Sequence, residues 1–356
     1  MKVLRRYFIK EFFKYFTILI LSFSAIAVVV EFFDKASEFY SNRATIGLTT
    51  KYLLLQIPRV MLYALPFASL FSILITIGIA SKWKEIIIIK ASGSSTKKLF
   101  SCFLVLGIII SLLALILGET VVPAATRRAT LVRKVEILKQ PPRIIQGKES
   151  LWIKGLDGSL IRIKGFVEDR NRILNTSIFN FNEFFGLEKR TEADEAEWIN
   201  GAWDLKNVTV FDFKNNTTSK YKNMMSTALE EPKIFMEDIK KPKEMNFMEL
   251  YSYYSRLENA GFKNLKYSVR LYEKLAYPSI NFVMILFGLA LALNTRWGGG
   301  IRAAGLGVIV SVLYWLLYSV SISFGNTGLL QPWLAPWISP LVFCSAGTFF
   351  YMQIKE

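Results

Sequence analysis

The sequence predicts a membrane α-helical protein, with six transmembrane helices in a three-plus-three arrangement and an all-β, jelly-roll-like domain inserted between the third and the fourth. Three observations predict this. The 356 residues are 52% hydrophobic with a mean hydropathy of +0.33, yet 20% are charged, so very apolar and quite polar regions must alternate along the chain. Asp, Glu, Lys and Arg are absent from five long windows, and from about residue 143 to 239 the hydrophobic period changes from that of a helix to that of a strand.

The uncharged windows are Tyr15–Val30, Val60–Ala80, Leu99–Gly118, Leu275–Thr295 and Ala303–Ile354. About 20 apolar residues at 1.5 Å each cross a hydrocarbon core of roughly 30 Å, so the last window holds two spans. Turn formers divide it at Phe324-Gly325-Asn326-Thr327-Gly328 and Gln331-Pro332. The predicted helices are therefore about 14–34, 59–80, 99–121, 275–295, 302–324 and 333–353. The first resembles a signal peptide at Ala25-Ile26-Ala27, but its apolar stretch runs on through Val30, Phe32 and Phe33, which favours an uncleaved span.

Orientation follows from the short flanks. Lys2, Arg5, Arg6, Lys10, Lys14, Lys82, Lys84, Lys90, Lys97, Lys98, Arg296, Arg302 and Lys355 all fall on one side of a six-span chain, which places both termini in the cytoplasm. These thirteen explain much of the net charge of +16, which is a topology signal and not a nucleic-acid signature.

The predicted organisation has three parts. Residues 1–140 carry helices 1–3, 141–245 form an extracytoplasmic β domain, and 246–356 hold a lead-in helix and helices 4–6. Helix 3 continues out of the membrane to about Gln140, with Arg127, Arg128, Arg133, Lys134 and Lys139 among apolar residues, and stops at Pro141-Pro142. That basic face is either solvated or meets phosphate groups. Leu160-Ile161-Arg162-Ile163-Lys164 and Val208–Phe213 read as strands between turn signals. After Pro242, Asn246 and Glu249 have capping-box spacing, Gly261 is a stop, and Lys263–Lys274 is an amphipathic lead into helix 4.

Most catalytic chemistry is missing. With no His there is no imidazole triad or His-ligated metal, and Cys102 and Cys344 sit in apolar runs where packing is the better reading. No Gly-x-x-x-x-Gly-Lys-Ser/Thr loop occurs, so the chain has no phosphate-binding loop of its own and no resident cofactor is expected. Gly298-Gly299-Gly300 reads as close helix packing or a tight turn between membrane helices, and Glu195 and Glu197 lie in a surface-like acidic run.

Two features carry function. The segment Ser81-Lys82-Trp83-Lys84-Glu85-Ile86-Ile87-Ile88-Ile89-Lys90-Ala91-Ser92-Gly93 is too short to span a membrane and too apolar for water. It either lies on lipid headgroups or enters a groove of a cytosolic partner, and the residues alone do not choose. Glu31, Asp34, Lys35, Arg59 and Glu119 lie at or near membrane depth, where a charge usually faces a partner or cavity; interfacial snorkelling is the alternative for Lys35 and Arg59.

Several stretches then point to one family. Lys84-Glu85-Ile-Ile-Ile-Ile-Lys-Ala-Ser-Gly after helix 2, Gly118-Glu119-Thr-Val-Val-Pro123 ending helix 3, Leu151-Trp152-Ile-Lys in the β domain, Lys274-Leu-Ala-Tyr-Pro278 opening helix 4, and Phe324–Trp337 resemble the LptF/LptG permeases across essentially the whole chain, nearer to LptG. The resemblance implies a non-catalytic subunit of the lipopolysaccharide exporter in the inner membrane of a Gram-negative bacterium. It implies as partners a second LptF/LptG-type permease, two copies of the ATPase LptB, the single-span LptC, periplasmic LptA and lipopolysaccharide itself.

By the same resemblance, residues about 82–93 become a coupling helix. Glu85 would pair with a basic residue of the ATPase, beside Trp83, Lys84, Ile86 and Lys90. LptG relatives often carry a basic residue near the outer end of helix 1, where Glu31 stands here. Lys35, one turn later, is a substitute, and Lys35, Arg59, Arg133 and Lys134 with Glu31 form the expected substrate-binding set. The alternative is a mechanotransmitting permease that relays ATPase motion outward without moving lipid.

Overall fold

A computed structural model describes residues 2–139, 151–155, 157–167, 172–182, 186–199, 201–229, 242–259, 264–294 and 300–354. The chain divides into two compact units. One comprises Met1–Ala129, Pro242–Tyr254 and Lys263–Glu356; the other comprises Thr130–Lys241 and Ser255–Phe262.

The first unit is helical. α1 (Lys2–Ser41) and α2 (Ile46–Lys82) form a long antiparallel pair, and α1 runs well past both ends of the span read from hydropathy because no Gly or Pro occurs between its ends. Thr45 caps α2, its hydroxyl accepting from the Leu48 amide. Two short helices follow, α3 (Glu85–Ala91) and α4 (Thr96–Phe100), and then α5 (Cys102–Glu119). Pro123 cannot donate to the carbonyl of Glu119, four residues back, and the helix breaks at Thr120 before resuming as α6 (Val121–Leu131).

The return to this unit begins with a 3-10 turn at Pro242–Glu244, then α7 (Phe247–Asn259), whose first turn carries the expected capping box. The Asn246 side chain accepts from the Glu249 amide at 2.8 Å and Glu249 accepts from the Asn246 amide at 3.1 Å. α8 (Leu265–Ala276) passes through a 3-10 turn at Pro278 into α9 (Ile280–Leu293), followed by α10 (Gly300–Thr327) and α11 (Ala335–Met352). The expected stop at Pro141-Pro142, the stop at Gly261 and most of the Gly298–Gly300 turn lie outside the described residues.

α9 is buried all round, the pattern of a central helix. It packs on α2 through Gly288, where an added Cβ would lie 2.3 Å from Ile73 Cγ2. An aromatic stack of Phe8, Phe12, Phe100 and Phe103 fills one end of the core. α1, α5 and α10 instead expose apolar side chains such as Leu21, Ile26, Ile109, Leu112, Ile309 and Leu313.

Five helical stretches among the described residues are long and apolar enough to cross a membrane: Lys2–Ser41, Ile46–Lys82, Thr96–Ile137, Leu265–Leu293 and Ala304–Thr327. The sixth expected span, α11, has 18 residues and contains Pro336 and Pro340, and it falls outside that set.

The second unit opens with a π-helical segment, Val132–Ile137, and contains one antiparallel sheet. Its strands are β1 (Leu151–Lys154), β2 (Leu160–Val167), β3 (Arg172–Phe181), β4 (Leu187–Ile199), β5 (Ala202–Asp212) and β6 (Thr217–Ser226). Strands pair strictly with their sequence neighbours, in the order β1-β2-β3-β4-β5-β6. Short turns enforce this, including Gly158 (φ +81°), Gly201 (φ +87°) and the Asp212 turn, where the carboxylate accepts from the Lys214 and Asn215 amides. The all-β, antiparallel expectation is met, but the order of the described strands is a meander, whereas a jelly roll needs Greek-key crossings. One face buries Ile161, Ile163, Ile173, Ala196, Trp203 and Leu205.

Candidate functional site

Side chains at positions 19, 23 and 27 recur every four residues, so Leu19, Phe23 and Ala27 share one face of α1. Across from them Val60, Ala64, Phe67, Phe71 and Ile75 share one face of α2, and Val308 and Val312 come from α10. Together they line an open apolar cleft of about 930 Å³. Apart from Ser311 of α10, its polar lining is Arg59, Tyr63 and Lys243.

The same three residues line a second, polar pocket of about 100 Å³. Its other polar walls are Glu119 at the end of α5 and Arg270, Glu273, Lys274 and Tyr277 of α8 and the turn after it, and Leu62, Ala114, Leu115 and Val122 supply apolar ones. Lys274 Nζ donates to Glu119 Oε1 at 2.8 Å, and the Phe247 amide donates to Glu119 Oε2. Arg270 hydrogen-bonds Glu273, which also accepts from the Tyr318 hydroxyl at 2.9 Å. Outside the pocket, Arg127 contacts both oxygens of Glu249, at 3.1 and 3.2 Å, and ties α6 to α7.

Glu31 and Arg59, both expected on sequence grounds, are brought together. Arg59 lies 3.6 Å from a Glu31 oxygen, and the buried Tyr52 hydroxyl donates to the other oxygen at 2.7 Å. Lys35 instead pairs with the exposed Asp34 at 2.9 Å and lines neither cavity. Arg133 and Lys134 lie on the π-helical segment of the second unit. Lys243, Tyr52, Arg270 and Glu273 escaped the sequence reading. The last two had a signal: Arg270, Glu273, Lys274 and Tyr277 follow the i, i+3, i+4, i+7 spacing of one helix face.

The arrangement suits an amphiphile, with a long apolar trough and a cationic end. It shows no nucleophile set against a base. Among the described residues no group of three or more His, Cys, Asp or Glu is placed to hold a metal ion.

The opposite end of α2 builds the second candidate surface. The Trp83 amide donates back to the Ile79 carbonyl, and Lys84 turns the chain with a left-handed φ of +59° into α3. Trp83, Ile87 and Ile88 are 69%, 61% and 65% exposed. Full burial of such side chains is worth about 1.5–3 kcal/mol each, so this surface favours a covering partner or lipid. Ile89 is buried and Ile86 is partly buried against the core, whereas Ile87 and Ile88 are exposed. A helix rotates about 100° per residue, which sends 86 and 89 inward and 87 and 88 outward. Lys84 is exposed, Lys90 is half-buried, and Glu85 accepts a hydrogen bond from Tyr7 of α1 at 3.3 Å.

A profile described as the lipopolysaccharide export system permease LptF/LptG matches residues 6–353. Among characterised proteins, the permease LptG of Escherichia coli strain K12 is 23% identical over 321 residues, covering 86% of this chain and 84% of its own. The LptG of Haemophilus influenzae is 23% identical over 284 residues, covering 78% and 76%.

Proposed function

This chain belongs to the LptF/LptG family of lipopolysaccharide export permeases, and from that premise we propose that it is the permease subunit that takes lipopolysaccharide from the outer leaflet of the inner membrane. It is a multi-pass membrane protein, near to LptG. The observation that carries the proposal is the cleft of about 930 Å³, apolar but for Ser311 and for Arg59, Tyr63 and Lys243, the three residues it shares with the charged pocket. Acyl chains fit the trough, and a phosphorylated sugar head fits the cationic end.

In this reading α11 is the sixth span, both termini are cytoplasmic, and the β domain lies in the periplasm as part of a larger jelly-roll path toward LptC and LptA. A second permease completes the cavity against the apolar faces of α1 and α10. Energy comes from two copies of LptB, with α3 seated in a groove of that ATPase through Trp83, Ile87 and Ile88 and with Glu85 as its ion-pair partner. An ion pair desolvated in such a groove fixes register as well as adding affinity. Lys35, Arg133 and Lys134 supply further contacts to lipid phosphates.

The test is purification of the full chain in mild detergent from cells carrying a tagged ATPase subunit. Lipopolysaccharide retained in the complex, together with the ATPase and a second permease, is the expected result. Recovery of the ATPase complex without lipopolysaccharide would favour a relay of motion and overturn the lipid-moving role.

A further inference from the structure

Four cations line the polar pocket, Arg59, Lys243, Arg270 and Lys274, and among them Arg59, Arg270 and Lys274 are each held by a carboxylate of the same chain. Glu31 holds Arg59 at 3.6 Å, Glu273 holds Arg270, and Glu119 holds Lys274 at 2.8 Å. Glu119 stands apart because of where it sits. It is the last residue of α5, the helix end where free carbonyls disfavour a negative charge. Its carboxylate is held there by Lys274 on one oxygen and by the Phe247 amide on the other. That amide is the first of α7 and has no partner within its own helix. One carboxylate thus joins the end of α5, the last turn of α8 and the start of α7. Its two charged members come from Gly118–Pro123 and Lys274–Pro278, stretches to which the permease function assigns no role.

We propose that this pocket binds an oxyanion, the phosphate group of an amphiphile, by exchange: the anion takes Lys274 from Glu119, and Glu119 then releases the α7 amide. The proposal rests on the amphiphile reading above and adds what binding does. A pocket of about 100 Å³ has room for one phosphate group beside Arg59, Arg270 and Lys274. Once Lys274 turns to the ligand, Glu119 faces both a like charge and the carbonyl end of α5, and its side chain, 24% exposed, has a path to water. Arg127 still grips Glu249, so the release is confined to the first turn of α7 and does not undock the helix. Headgroup occupancy is thereby reported to the helix that follows the β domain in the chain.

Hydrogen exchange at residues 247–250 of the full-length chain, assembled with its second permease and ATPase in lipid nanodiscs, tests this, with bisphosphorylated lipid A, its dephosphorylated form and inorganic phosphate as probes. Native mass spectrometry of the same samples reads lipid occupancy. The expected result is exchange about fivefold faster with the phosphorylated lipid alone, the scale of a lost helix cap. In Glu119→Gln, whose neutral amide is not repelled, that lipid dependence should vanish; in Lys274→Gln exchange should be fast without ligand, and this variant carries the test should the first fail to fold. Acceleration by inorganic phosphate alone would keep the exchange and assign it to a free anion. If lipid A binds while exchange is unchanged or slowed, or if Glu119→Gln still responds to it, the proposal falls and the amphiphile reading stands. If lipid A does not bind, both fall.

Discussion

Replacing Glu31 by Gln should make the protein less stable and its hold on a phosphorylated lipid tighter. The Arg59–Glu31 pair spans 3.6 Å with side chains 26% and 21% exposed. At that separation the bare Coulomb attraction is about 5 kcal/mol for an effective dielectric near 20. Desolvation and the surrounding water reduce the net worth of such a pair to about 1 kcal/mol. Tyr52 can still donate to the Gln oxygen, so that hydrogen bond survives in weaker, uncharged form. The variant should therefore lose about 1–2 kcal/mol of stability, because a partly buried guanidinium is left without its counter-ion. The freed Arg59 faces the polar end of the cleft, and release from Glu31 should tighten binding of bisphosphorylated lipid A about fivefold, equivalent to about 1 kcal/mol. Titration of the full-length chain in nanodiscs, with dephosphorylated lipid as the control, measures this. Unchanged or weaker binding of the phosphorylated lipid, or equal tightening of both lipids, would refute the placement of the headgroup at Arg59.

Three further outcomes are expected. Glu85→Ala should leave the complex assembled and hydrolysing ATP while lipopolysaccharide extracted per ATP collapses, and extraction at the native rate in a reconstituted assay would remove Glu85 from coupling. Gly288→Ala should destabilise the helical unit by about 1–3 kcal/mol, since its Cβ would meet Ile73 Cγ2 at 2.3 Å, and Ile73→Ala on the same chain should restore thermal stability. Burial alone would raise the Asp157 carboxyl, but hydrogen bonds from the Ser159 side chain and amide and from Asn180 outweigh it and hold the carboxyl below its usual range. A depressed folded value stabilises above the ordinary carboxylate range and is lost as pH falls through it. Asp157→Asn should therefore lower the urea midpoint of β2 and β3 at pH 7, read by pulsed hydrogen exchange, and match the native chain at the acid end.

The helical framework was legible because missing charges are a one-dimensional signal. Where helices end was not, since α1 stays helical to Lys2 and Ser41 outside its uncharged window for want of Gly or Pro. β4 was hidden for a different reason. Glu192–Glu197 reads as an acidic surface run, yet Ala193 and Ala196 are buried, Glu195 and Glu197 pair across the sheet with Arg172 of β3 and Lys206 of β5, and Glu192 pairs with Arg190 of its own strand. A strand whose acids are matched across the sheet shows its logic only once the register is known. The pocket followed the same rule: Glu31 stood out as a departure from its relatives, but Tyr52, Glu119 and Lys274 acquire meaning only when distant segments meet.

One helix joins the two candidate surfaces. Tyr7 donates to Glu85, Arg5 donates to the Lys98 carbonyl at 2.7 Å, and Phe8 and Phe12 pack on Phe100 and Phe103, so the start of α1 is fastened to both short helices between α2 and α5 and to the first turn of α5 itself. From Tyr7 the helix runs unbroken to Glu31, about 36 Å at 1.5 Å per residue. Between those points Leu19, Phe23 and Ala27 form a wall of the cleft, and Glu31 pairs with Arg59, which also lines it. A helix held at one end by side-chain contacts and at the other by Glu31, bound to both Arg59 and Tyr52, and by Phe39 packed on Tyr52 transmits a displacement more readily than it absorbs one, because its own hydrogen bonds are the stiffest elements in the path. Movement of α3 would thus reach the cleft through α1 as well as through α2, and loosening the Glu31–Arg59 contact would give α1 more freedom to move there. Glu31 is, on this argument, a catch toward the C-terminal part of that lever.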